Sequence, residues 1–96
     1  ALVKAWFFVQ YAHVLGEELP LYRDIQGEKI AAGTHYTYDV ANKGLRVDER
    51  GDMNENHIKL LRVMSQKPLR VVRNVGGVQE FIAVCASVAV RHASVS

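Results

Sequence analysis

Cross-linking within the chain is excluded, because it has a single cysteine, Cys85. The fold must therefore rest on packing alone. That suits a reducing compartment and leaves a secreted protein without disulfides open. A long apolar run is also missing. The longest, 81–90, is interrupted by Ser87 and is about half of what a helix needs to cross a bilayer, so no membrane partner is expected. Charge of one sign is scarce: 12 Lys and Arg against 10 Asp and Glu leave a net charge of +2. So mild a balance does not by itself call for nucleic acid or an anionic surface. Only 2 prolines and 23% charged residues argue against disorder. The 4 histidines, at positions 13, 35, 57 and 92, lack the paired spacing of a zinc site, so neither a metal nor a cofactor is expected. The chain does not begin with Met and has no signal-peptide layout, which reads as a mature or trimmed form.

What is present is a 96-residue chain, 49% hydrophobic, enough for one domain over residues 1–96 with a modest core. Residues 2–18 read as a helix that is apolar nearly all round. Gln10, His13 and Glu17 share one side, and Gly16 and Pro20 bracket the end. Such a helix needs a broad cover, and in a small domain that means a sheet. If the sheet leaves it bare, the helix stripe becomes a dimer seam.

Strands are expected at 21–25, 30–41 and 45–48, the last two forming a hairpin around Asn42, Lys43 and Gly44. The element from His57 or Ile58 to Met64 could be helix or strand, since its apolar residues fit neither period well, and is read as a strand because the sheet needs members; 69–75 and 78–90 are read as further strands, with breaks at Lys67-Pro68 and Gly76-Gly77. The expected fold class is α+β: one N-terminal helix packed across a curved antiparallel sheet of about four strands.

The segment Glu28 to Val40 carries the most information. Tyr36, Tyr38 and Val40 alternate with His35, Thr37 and Asp39, the period of a half-buried strand. Before it, Ala31-Ala32-Gly33 suits a tight exposed bend. Lys29-Ile30-Ala31-Ala32-Gly33-Thr34 resembles the first binding loop of the cystatins, most closely the plant form Gln-Val-Val-Ala-Gly-Thr, with Lys29 in place of Gln. Phe8-Val9-Gln10-Tyr11-Ala12-His13-Val14 resembles the plant-cystatin helix signature Leu-Ala-Arg-Phe-Ala-Val. Lys67-Pro68-Leu69 resembles the second binding loop, with Leu69 where the family carries Trp, and Val78-Gln79-Glu80-Phe81 resembles the Leu-Gln-Glu-Phe that follows it.

The resemblance implies a cystatin-like fold and reversible inhibition of papain-like cysteine proteases, not catalysis. Lys29, Ile30, Ala31, Ala32 and Gly33 in a first hairpin loop, and Pro68 and Leu69 in a second, would enter the enzyme's cleft as a wedge. The implied form is a monomer or a domain-swapped dimer.

The residues also support a second reading, a small α+β binding module. Arg62, Lys67, Arg70 and Arg73 form a basic cluster that would contact nucleic acid or an acidic partner if it lay on neighbouring strands. No aromatic residues are interleaved with it for base stacking, so nucleic acid is not the expected partner. A third reading, a catalytic α+β barrel protomer, lacks an acid–base constellation. Glu17, Glu18, Asp48, Glu49 and Glu55 fall at a helix end and in loops, where solvated carboxylates are ordinary. Cys85 has no partner base near it in sequence and reads as a plain buried thiol.

Overall fold

The computed structural model describes residues 2–94, and among them the chain forms four helices and one two-stranded sheet. The elements run α1 (Leu2–Val14), β1 (Tyr36–Asp39), β2 (Gly44–Val47), α2 (Glu55–Gln66), α3 (Leu69–Val72) and α4 (Val78–Ser94). Helix α1 packs on α4 and α2, and α2 packs on α4 and α3. The expected single helix across a four-stranded sheet is therefore incorrect. The N-terminal helix and the hairpin are present, but the strands expected at 58–64 and 78–90 are helical, and the one expected at 69–75 is the short helix Leu69–Val72 followed by turns.

Local chemistry accounts for each correction. Asn54 caps α2 by accepting hydrogen bonds from the amides of Asn56 (2.8 Å) and His57 (3.4 Å). His57 Nδ1 in turn accepts from the Asn54 amide at 3.0 Å, completing a reciprocal capping box. The buried residues of α2 are His57, Ile58, Leu60, Leu61 and Met64, a helical and not an alternating set. Ile58, Leu61 and Met64 are fully buried, each stabilising the fold by about 1.5–3 kcal/mol over exposure. The helix stops at Lys67, which is extended (φ −123°, ψ 152°) as the residue before a proline prefers to be.

Pro68 then opens α3, its carbonyl accepting from the amides of Val71 and Val72 at 3.0 and 3.2 Å. The β-branched residues there favour a strand only weakly, and full burial of Val72 overrides that preference. Helix α4 buries Val78, Ile82, Cys85, Val88, Ala89 and His92, one helical face whose members recur every three to four residues apart from the adjacent Val88 and Ala89. Its 17 residues exceed the usual strand by far.

In the hairpin, Tyr36 pairs with Val47 and Tyr38 with Leu45. Asp39 holds the turn by accepting from the backbone and side-chain amides of Asn42 at 3.0 and 3.2 Å. Those bonds, the backbone one foremost, keep its carboxyl below the ordinary range, and the Arg46 guanidinium adds a smaller pull. The expected strand 30–41 is reduced to four residues. The expected strand 21–25 survives only as an isolated bridge between Arg23 and Lys29. A second bridge joins Tyr36 to Met53, so the loop before α2 extends the hairpin edge. Tyr36, Tyr38, Leu45 and Met53 close one end of the three-helix core.

Candidate functional site

Helix α1 ends where Gly16 adopts φ 75°, a conformation costly for other residues. The Gly16 amide bonds to His13 O (3.0 Å) and the Glu17 amide to Ala12 O (2.9 Å), the paired closure of a Schellman motif. The chain then passes through residues 18–22, which form a strap tied down along its length. Glu17 O accepts from His92 Nε2 at 2.5 Å. Leu21 O accepts from Arg62 Nε and Nη2 at 3.0 and 2.7 Å. The Arg62 guanidinium lies 4.4 Å over the Tyr22 ring, and the Tyr22 hydroxyl accepts from Gln66 Nε2 at 2.8 Å.

Between this strap and helices α1, α2 and α4 lies a pocket of about 180 Å³. Phe8, Val9 and Ala12 form the α1 wall, Leu61 and Ala89 the facing walls, and Leu19 and Leu21 part of the strap side. Polar groups are few. His13 Nδ1 bonds Glu18 Oε1 in an exposed pair, and Ser65 and His92 contribute to the lining. An apolar cavity with a small number of placed polar groups is the ordinary form of a ligand site. Its size is below that of most cofactor sites and matches a single ring.

His92 links the pocket to the hairpin. Glu17 O can only accept, so Nε2 carries the proton. In the neutral ring, Nδ1 then accepts from the Tyr38 hydroxyl at 2.7 Å. Burial raises the Tyr38 pKa above its usual value, against the opposing pull of Arg91 and with a smaller push from Asp39. Near the far end of α4, burial lowers the pKa of His57, and nearby Asp52 and Glu80 offset this in part. Cys85 is fully buried, with its thiol donating to His57 O at 3.3 Å. Desolvation pushes that thiol up to about 12, which favours the neutral thiol over the thiolate at neutral pH. Among the described residues, no three His, Cys, Asp or Glu side chains gather to hold a metal ion. No helix among the described residues is long and apolar enough to cross a membrane.

The residues singled out by the cystatin resemblance fall on two unlike structures. Lys29, Ala31, Ala32 and Gly33 are exposed and Ile30 is half-buried, in a bend where Gly33 has φ 79°. The bend is tied back by the Ala31 amide, which donates to the Tyr36 hydroxyl at 2.9 Å. Pro68 is exposed but Leu69 is half-buried, and together they start α3 and form no hairpin tip. Tyr22 borders both regions: its carbonyl accepts from the Ile30 amide at 3.1 Å, and its hydroxyl bonds Gln66.

The basic cluster is also rearranged. Arg62 is turned inward onto Leu21 and Tyr22, leaving Lys67, Arg70 and Arg73 exposed around α3 and not on strands.

The pocket residues were only partly visible in the sequence. Gly16 and Pro20 marked a turn, but nothing in the spacing said that the turn folds back over Ala12 and Leu61. The usable signal was Arg62, a cation within the otherwise apolar run from Leu60 to Met64 and suited to capturing a loop carbonyl. No protein-family model, curated protein or solved structure matches this chain.

Proposed function

We propose that this domain is a non-catalytic binding module that seats one ring-sized apolar group of a partner in the pocket under the 18–22 strap. The observation that carries the reading is the pocket itself: about 180 Å³, walled by Phe8, Val9, Leu19, Leu21 and Leu61, with His13 and Glu18 at its lining. An aromatic or branched side chain would bury its body against these walls. A hydroxyl or amide at its edge would reach the His13–Glu18 pair. A single deep anchor of this kind often dominates the affinity of a larger contact.

Small aromatics such as phenol, p-cresol and indole serve as probes. Chemical-shift titration is expected to move the Ala12 and Ala89 methyl signals, with dissociation constants on the order of 0.1–1 mM for single-ring fragments. Ala89→Leu, which fills the pocket, is expected to abolish the shifts while the protein remains folded by circular dichroism. Absence of shifts in the native protein, or their persistence in the folded variant, overturns the reading.

Inhibition of a papain-like protease is the second reading, and one observation favours it: Lys29 and Ala31 to Gly33 are exposed at a bend. The two-hairpin wedge no longer has its second hairpin, so the bend would have to act alone. Titration of papain tests this directly, and no inhibition at high micromolar protein removes it. Salt-sensitive retention on heparin would instead direct attention to Lys67, Arg70 and Arg73.

A further inference from the structure

We propose that the outward face of α1 is the seam of a two-fold antiparallel dimer of this chain. Helix α1 turns Ala5 and Ala12 fully inward, and Val9 packs against the same core. On the opposite side, at spacings of three, four and eight residues, it carries Val3, Phe7, Tyr11 and Val14, continued by Leu15. All are large and apolar, and they are 53, 55, 45, 79 and 50% exposed respectively. Phe7 and Tyr11 stack on each other, 15° apart with centroids at 6.1 Å, which orders the two rings on this face. The hairpin packs at the His92 end of α4 and leaves this face uncovered.

Area admits a second copy as the occupant, and charge selects it. With whole aromatic side chains offering ~150–250 Å², the stripe exposes on the order of 500 Å² per copy. Two stripes face to face then bury on the order of 1,000 Å², the level at which a specific interface begins. The charges select the orientation. Lys4 is the cation of this face, near the N-terminal end, and the exposed Glu17 follows the C-terminal end, whereas Glu18 is paired with His13 on the pocket side.

Antiparallel pairing sets Phe7 against the second copy's Tyr11 and Val3 against its Leu15. Each Lys4 stem then lies along the other copy's Val14, with its ammonium toward Glu17 beyond. Parallel pairing would bring the two Glu17 carboxylates together. An interfacial membrane helix carries several Lys or Arg on its polar face. This one has Lys4 alone, followed by acidic residues. The seam lies on the opposite side of α1 from the pocket, so dimerisation and anchor binding are separate properties.

Sedimentation equilibrium across a concentration series up to about 1 mM tests the seam. The native chain is expected to double its mass over this range. The Phe7→Glu, Tyr11→Glu double variant should remain monomeric with an unchanged melting temperature, because both side chains point outward. Lys4→Glu should weaken association at least tenfold. Adding Glu17→Lys should restore it, which simple loss of charge would not do. A native chain that stays monomeric, a dimer that persists in the double variant, or failure of the charge swap to rescue overturns the proposal. So does a monomer that floats with lipid vesicles through Phe7 and Tyr11.

Discussion

Gly51 offers the sharpest test of how the loop before α2 is held. An added Cβ would lie 2.2 Å from Tyr36 O, 2.5 Å from its carbonyl carbon and 3.0 Å from Asp48 O. All three obstacles are backbone atoms, so no side chain can swing aside. In Gly51→Ala the loop must retreat from β1 by close to an ångström. The bonds Tyr36 N to Met53 O (2.9 Å) and Met53 N to Tyr36 O (3.1 Å) would then stretch beyond useful length.

Loss of two backbone bonds at a buried edge costs about 2–4 kcal/mol. The stiffer unfolded chain returns about 0.4–1 kcal/mol. For a domain of this size, the net loss lowers the melting temperature by roughly 10–20 °C.

Thermal and urea denaturation measure the loss, and amide exchange at Tyr36 and Met53 locates it. Gly76→Ala is the internal control. Its Cβ would meet nothing within 4 Å and its backbone lies outside the left-handed region, so it should be neutral or stabilising by up to about 1 kcal/mol. Equal effects from the two substitutions, or unchanged protection at Met53 in Gly51→Ala, would refute the steric argument.

Acidification should weaken the start of α2. The folded-state pKa of His57 is depressed below the ordinary 6.5, so its stabilisation is complete above that value and is lost as pH falls through the depressed one. Urea midpoints should therefore drop below pH 6.5 in the native protein, and the drop should shrink in His57→Gln; an equal drop in both contradicts the assignment. Cys85 should resist thiol reagents at pH 8 in the native state and react only on unfolding, since its thiol is buried with a pKa near 12; rapid labelling of folded protein refutes this. Arg62→Met should cost about 1.5–3 kcal/mol through loss of a charged donor pair and should speed proteolysis within 18–22; an unchanged cleavage rate means that Arg62 does not hold the strap.

The sequence showed the hairpin well, because Tyr36 and Tyr38 alternate with polar residues and Asn42-Lys43-Gly44 supplies the turn. The helix expected over 2–18 stops earlier, at Val14, because Gly16 with φ 75° turns the chain out of the helix before Glu17 and Glu18. The second half of the chain was misread where two signals competed. Val71, Val72 and Val75 favour strand by propensity, and the apolar run at 78–90 offers few polar residues to reveal a period. The helical evidence lay in spacing and caps: Asn54 three residues before His57, and Ala83, Ala86 and Ala89 at three-residue intervals in a segment too long for one strand. Short family-like motifs added weight to the wrong side. Pro68-Leu69 belongs equally well to a hairpin tip or a helix start, and only the position of its neighbours decides.

The corrected fold changes what α1 needs. A helix apolar nearly all round requires cover nearly all round, which is why a broad sheet was expected. Helices α2 and α4 provide only the inner half of that cover. The cover expected from a sheet is absent from the outer half, where Val3, Phe7, Tyr11 and Val14 remain in contact with solvent. Polar substitution at these positions would make an equally good α1 for a monomer, since none of them is needed for the inner packing. Their apolar character is unexplained by the fold of one chain; the proposed seam would account for it. The same reasoning separates the two sides of this helix: substitutions at Ala5 or Ala12 should unfold the domain, whereas charges at Phe7 and Tyr11 should leave it folded and alone.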